Sequence, residues 1–160
     1  MDAEQIKFYQ DYIGLAKQAG QDLDINPLIP LAQWALESGW GSASYVAGTH
    51  NLAGIMKSPK LVQSFPSFSA FLGSYETSMR NDCPTIKDKK ATPSSDAAFV
   101  FQGTDYNTAN PNYATTIQQI VDELASYEAS LNPSTKVDPK PMLATIDGII
   151  SELEKLKGEL

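Results

Sequence analysis

Hydrophobic positions recur every three or four residues along most of the chain, a period that predicts a mainly helical protein. Ile6, Tyr9, Ile13 and Ala16 keep that spacing over residues 2–19, with Gly20 as the expected stop. Asn26-Pro27 reads as a helix start, asparagine as cap and proline in the first turn. The apolar helix it opens runs to Ser38, where Gly39 and Gly41 end it. Phe68, Phe71, Leu72, Tyr75 and Met79 share one face of a helix predicted over 67–80. A polar turn region follows at 81–93, a short helix starts at Pro93, and residues 103–112 form a loop. Tyr113, Ile117, Ile120, Val121 and Leu124 mark the most regular helix, from 113 to about 128. The period also fails over 42–66, where Gly48, Gly54, Pro59 and Pro66 separate short apolar pieces; this stretch reads as loops around a small hairpin. The expected fold class is therefore mostly α, a helical domain with a short, reduced β lobe.

The composition changes after Leu131. Residues 132–141 carry three prolines and read as a linker. Met142, Ile146, Ile149, Leu153, Leu156 and Leu160 then follow a heptad seam. The expected organisation is one domain over 1–131, a linker over 132–141 and an amphipathic helix over 142–160. That helix either packs back on the domain or meets a partner, and the protein is expected to be a monomer.

Charge and rare residues narrow the chemistry. Twelve Lys and Arg stand against 19 Asp and Glu, a net charge of −7, which disfavours nucleic acid and anionic membrane as partners. Cys83 and His50 are the only cysteine and histidine. An internal disulfide and a Cys-rich zinc site are thus ruled out, and no metal or cofactor is expected. Cys83 reads as a half-buried thiol near a loop rather than a nucleophile, and His50 as a loop residue. No run of about 18 apolar residues is present. The opening Met-Asp-Ala-Glu is acidic where a secretory signal would be basic, so no signal peptide is expected.

The densest chemical signal is Trp34-Ala-Leu-Glu-Ser-Gly-Trp-Gly-Ser42. Glu37 falls in the last turn of an apolar helix, where the negative end of the helix dipole and burial beside indole rings both disfavour a carboxylate. A glutamate that keeps its proton to higher pH suits a glycosidase general acid. The same pattern also fits a glutamate that merely accepts hydrogen bonds from nearby hydroxyls and amides.

Ala35-Leu-Glu-Ser-Gly-Trp-Gly41 followed by Asn51-Leu-Ala-Gly-Ile55 resembles the glucosaminidase family, glycoside hydrolase family 73. Phe65-Pro-Ser-Phe-Ser-Ala-Phe-Leu-Gly-Ser-Tyr75 resembles its aromatic stretch, and Tyr106-Asn-Thr-Ala-Asn-Pro-Asn-Tyr-Ala114 its late loop. The resemblance spans roughly residues 5–128 and implies a lysozyme-like fold and an enzyme that cuts peptidoglycan glycan strands, with Glu37 as catalytic acid. It also implies that Tyr106 and Tyr113 lie near the cleft and that Asn51 and Gly54 shape its wall. Tyr106 reads as a group that stabilises the oxocarbenium ion or bonds the N-acetyl group, with core packing as its alternative; Tyr113 reads as cleft tyrosine or as packing. Trp40 and Phe65 either stack on sugar faces or fill the core.

The chain departs from the family in three ways, the first being Met56 inserted before Lys57. Ala53 replaces a usual aromatic, and no Asp or Glu occurs between Ser38 and Tyr75, where relatives carry a second acid. The second catalytic group is then Asp105, or the substrate's own N-acetyl group, or none, with Glu37 acting alone. Two rivals stay open, a lytic transglycosylase (or muramidase) of the same fold and a non-catalytic glycan-binding module. With no signal peptide, the protein resembles phage lysins or phage tail components, or small type VI secretion effectors. The last implies a cognate immunity protein as a second partner beside the glycan strand. In each case the site of action is the periplasm or cell wall.

Overall fold

The computed structural model describes residues 1–105 and 110–131. The chain divides into two compact units, Met1–Glu128 and Ala129–Leu160, and the first holds every element that shapes the site. The linker and C-terminal helix expected over 132–160 lie outside the described residues, as does Tyr106.

Helix α1 (Ala3–Leu23) starts on a capping box, with the Asp2 side chain accepting from the Glu4 and Gln5 amides and Gln5 reaching back to the Asp2 amide. It runs three residues past the expected stop at Gly20. That glycine serves packing instead: a Cβ there would lie 2.8 Å from Pro27 Cα and 2.9 Å from the Ile25 carbonyl oxygen. The helix ends at Asp24, whose φ of 55° turns the chain back. Helix α2 (Leu28–Ser38) begins one residue later than expected, with Asn26 Oδ1 accepting from the Leu28 amide at 2.9 Å. It is buried on nearly all sides, as an all-round apolar helix must be, and α1 packs along it.

The 42–66 stretch holds one helical turn, α3 (Val46–Thr49), absent from the sequence expectation, and an antiparallel hairpin of β1 (Met56–Ser58) and β2 (Leu61–Val62). Met56 pairs with Val62 and Ser58 with Leu61, with an irregular step between. This hairpin is too small to bury a face of its own and is exposed along β1. Asn51 holds it down. Fully buried, its Nδ2 donates to the Ile55 and Gln63 carbonyls at 2.9 Å each, and its Oδ1 accepts from the Ile55 amide at 3.0 Å.

Helix α4 (Phe68–Asp82) is capped by Ser67, and its Phe71, Leu72, Tyr75 and Met79 enter the core. The predicted polar turn contains a short helix α5 (Pro84–Lys87). The next helix, α6 (Ala97–Val100), starts four residues beyond Pro93 because the Asp96 carboxylate caps it at the Phe99 amide. Helix α7 (Tyr113–Leu131) carries Ile117, Val121 and Leu124 into the core, and its Gln118 side chain accepts from the Ala97 amide. Two further expectations resolve here. Cys83 is completely buried rather than half-buried, its thiol pushed up to about 12 by loss of water and by the nearby Asp82 charge. That leaves it without thiolate character. His50 Nδ1 sits 2.9 Å from the Phe65 carbonyl, with its ring edge-on to Phe68.

Candidate active site

Glu37 stands at the C-terminal end of α2, half-buried. The turn behind it explains the Ser-Gly-Trp-Gly sequence. Gly39, Trp40 and Gly41 take φ values of 56°, 56° and 80° in succession, a left-handed run that glycine adopts freely and tryptophan does not. A Cβ on Gly41 would also come within 3.3 Å of the Phe8 ring. The buried Ser38 hydroxyl donates to the Trp34 carbonyl at 2.6 Å and accepts from the Gly41 amide at 2.8 Å. Trp40 and Ala43 amides close on the Ala35 and Ser38 carbonyls, and the Tyr45 hydroxyl donates to the Glu37 carbonyl at 2.9 Å. The last carbonyls of α2 are therefore satisfied.

That carboxyl opens into a cleft of about 410 Å³ lined by Gln33, Glu37, the segment Ala53–Met56, and Tyr75, Ser78, Met79 and Asp82. Burial raises the Glu37 pKa above its ordinary value of 4.5, and a hydrogen bond from Tyr113 works against part of that rise. The Tyr113 hydroxyl donates to Glu37 Oε1 at 2.9 Å. It accepts from Gln33 Nε2 at 2.8 Å, and Gln33 Oε1 accepts from the Tyr75 hydroxyl at 2.7 Å. Gln33 and Tyr75 are each 2% exposed and Tyr113 6%, so the array is buried, with Gln33 and Tyr75 edging the cleft and Tyr113 outside its lining. The phenol of Tyr45 is also shifted upward, by burial first and then by the Glu37 charge.

The expected site residues separate into distinct places. Tyr113 packs its ring edge-on against Phe101 at 5.4 Å, and its hydroxyl reaches Glu37 from outside the cleft lining. Gly54, with φ of +62°, lines the cleft, and Asn51 lies beneath it as the clamp of the wall. Trp40 faces elsewhere. It packs edge-on to Phe8 at 5.7 Å and borders a separate groove of about 270 Å³ with Glu4, Lys7 and Tyr12. Phe65 is 6% exposed and stacks edge-on to Phe71 in the core. Neither ring lines the Glu37 cleft. Asp105 is an exposed side chain outside the cleft lining.

Gln33, Tyr45, Tyr75 and Asp82 were not expected. Gln33 had a legible signal: a lone amide within Leu28–Leu36, four residues before Glu37 and thus on the same helix face. Tyr75, Ser78, Met79 and Asp82 keep i, i+3, i+4, i+7 spacing, so one stripe of α4 forms a cleft wall. Among the described residues, no group of His, Cys, Asp and Glu is placed to hold a metal ion. Among the same residues, no helix is long and apolar enough to cross a membrane.

The fold has close counterparts. A chain of a type VI secretion system effector–immunity complex from Pseudomonas protegens superposes with a TM-score of 0.62 at 18% identity, over 78% of this chain and 94% of that one. A peptidoglycan hydrolase from Sphingomonas sp. A1 gives 0.62 at 22% identity, over 82% and 96%. An N-acetylmuramoyl-L-alanine amidase from Staphylococcus aureus gives 0.61 at 20%, over 78% of this chain and 43% of that one. No curated protein matches the chain at the level of sequence. The family model described as glucosaminidase, mannosyl-glycoprotein endo-β-N-acetylglucosaminidase, matches residues 13–126, which include Glu37, the hairpin and Tyr113. The chain thus belongs to the glucosaminidase family and is a glycoside hydrolase of lysozyme-like fold.

Proposed function

We propose that this protein cuts the glycan strand of peptidoglycan as an endo-β-N-acetylglucosaminidase, with Glu37 as general acid. The observation that carries the reading is the half-buried Glu37 carboxyl, its pKa raised by burial, at the floor of an open cleft in a glucosaminidase fold. A carboxylic acid that retains its proton can deliver it to the glycosidic oxygen as the bond to C1 breaks. The leaving sugar departs with that proton, and C1 takes on oxocarbenium character. The hydrogen bond from Tyr113 strengthens as Glu37 becomes an anion and so favours the transition state.

The cleft wall from Ala53 to Met56 supplies no carboxylate. The second step then rests on the substrate or on Glu37 itself. In one route the N-acetyl carbonyl oxygen attacks C1 and forms a cyclic oxazolinium, which water opens after losing a proton to the Glu37 carboxylate. In the other, Glu37 alone protonates the leaving oxygen and then takes the proton back from water. The missing lobe carboxylate favours one rival specifically: attack by the sugar's own 6-hydroxyl would make the protein a lytic transglycosylase with an anhydro product.

The likeness to a chain of an effector–immunity complex supports delivery as an antibacterial effector, with an immunity protein that would occlude the Glu37 cleft. Digesting purified peptidoglycan with the wild type and with Glu37→Gln, then identifying the new ends by mass spectrometry, tests the proposal. Reducing N-acetylglucosamine ends, lost at least about a hundredfold in the variant, are the expected result. Reducing muramic acid ends would mean a muramidase and anhydro ends a transglycosylase. Equal release by both proteins would remove Glu37 from the chemistry.

A further inference from the structure

The array behind Glu37 has a definite polarity. Each phenol has one proton to give, and a glutamine amide presents an acceptor on one side and donors on the other. The Tyr75 hydroxyl donates to Gln33 Oε1 at 2.7 Å, which pins the amide so that Nε2 faces Tyr113 at 2.8 Å. A nitrogen in that place offers the Tyr113 proton no acceptor. The Tyr113 hydroxyl therefore receives from Gln33 and donates forward to Glu37 Oε1 at 2.9 Å. If the amide turned over, Gln33 Oε1 would face Tyr113 and draw its proton, and Glu37 would become the donor to the Tyr113 oxygen.

We propose that Tyr75 and Gln33 are positioning residues that hold the Tyr113 hydroxyl as a donor to Glu37 Oε1, so that the transferable proton of Glu37 sits on Oε2. The inference rests on Glu37 being the proton donor, and its structural content does not depend on the linkage that is cut. With Tyr113 donating to Oε1, a proton on Glu37 belongs on the other oxygen, where it is available to a glycosidic oxygen in the cleft. With the amide reversed, the proton would be spent on Tyr113. The burial of the array matters here: Gln33 and Tyr75 border the cleft but are only 2% exposed each, which limits the water that could compete for their hydrogen bonds.

Among the described residues, the titratable groups around Glu37 are few. Tyr113 faces it from α7, Tyr45 holds its carbonyl from the loop after α2, and Tyr75 and Asp82 stand on the α4 wall. The hairpin side of the cleft, Ala53–Met56, adds none.

The test is a carbon-13 NMR titration of the Glu37 side-chain carboxyl in the wild type, Tyr75→Phe, Tyr113→Phe and the double variant. Tyr75→Phe removes the anchor of the amide and leaves Tyr113 intact. Its Glu37 titration is expected to move upward, in the direction of Tyr113→Phe and no further, and to add nothing once Tyr113 is already phenylalanine. A Glu37 titration unmoved by Tyr75→Phe but moved by Tyr113→Phe would overturn the proposal, as would additive shifts. Should Tyr75→Phe fail to fold, the wild type still decides. The two Gln33 amide protons should give separate, slowly exchanging signals with contacts to the Tyr113 ring, and a freely rotating amide refutes the array. None of these readings needs turnover. Loss of the peptidoglycan reading would appear as no cleavage by a wild type whose titrations behave as expected.

Discussion

Tyr113→Phe is the most informative single change, because the hydroxyl it deletes joins Glu37 to the core. The side chain keeps its ring packing on Phe101 and loses only the oxygen that donates to Glu37 Oε1 and accepts from Gln33 Nε2. A hydrogen bond to a charged group contributes about 1.5–3 kcal/mol, against about 1 kcal/mol for a neutral pair. The bond helps catalysis only by the difference between the two, since Glu37 begins neutral and ends as an anion. That difference is about 0.5–2 kcal/mol, or roughly 2- to 30-fold in kcat. The sign of the pH effect follows from the same bond. Tyr113 lowers the Glu37 pKa against the larger upward effect of burial. Without it Glu37 holds its proton to higher pH, so the basic limb of the rate profile moves up while the plateau falls. Stability also suffers, because the buried Gln33 Nε2 loses its acceptor at a cost of about 1–3 kcal/mol. For a domain of this size that lowers Tm by roughly 3–12 °C. The assays are kcat against pH on purified peptidoglycan and a thermal melt. A rate within twofold of wild type with an unmoved basic limb would refute the reasoning. A loss beyond a thousandfold would refute it from the other side, by giving Tyr113 a covalent or proton-transfer role that this geometry does not supply.

Three further outcomes are expected. Glu37→Gln should raise Tm at pH 7 relative to wild type, with the two melts converging below about pH 4; the folded pKa lies above 4.5, so the wild type binds more protons folded than unfolded and loses stability as pH rises through that interval. A gap that persists unchanged at low pH would contradict the burial argument. Asp82→Asn should cost less than about tenfold in kcat, because the proposed routes need no second carboxylate; a hundredfold loss would identify Asp82 as the missing base. Asn51→Ala removes three buried hydrogen bonds to Ile55 and Gln63 and should destabilise the domain by about 2–4 kcal/mol. Hydrogen exchange should rise first over residues 51–65, and protection retained there would show that the hairpin does not depend on this clamp.

Much of this architecture could be read from the sequence, and the parts that could not share a physical cause. The long helices were legible because a periodic apolar face is a local signal, and Glu37 stood out as a candidate because its motif is contiguous. The misplaced ends at Gly20 and Pro93 came from reading local punctuation where a tertiary demand ruled. Gly20 is needed for the close approach of Pro27 and Ile25, and the Asp96 cap outranks a proline three residues earlier. Trp40 and Phe65 could be read as sugar platforms or as core, because exposed and buried aromatics are identical in a sequence. Only the fold turns one onto Phe8 and the other onto Phe71.

The array that orients Glu37 was hidden for a stronger reason. Its members come from three helices, at positions 33, 75 and 113, and each has a sufficient local explanation as core. An apolar period counts tyrosine as hydrophobic, so the pattern that predicted helices α4 and α7 absorbed Tyr75 and Tyr113 without registering their hydroxyls. Gln33 alone broke its local pattern. A polar side chain in the middle of an otherwise buried helix must find partners in the fold, because an unpaired amide there would cost about 1–3 kcal/mol. The place to look for the supports of a catalytic residue is therefore one helical turn back on the same face, at the polar residue that packing alone does not explain.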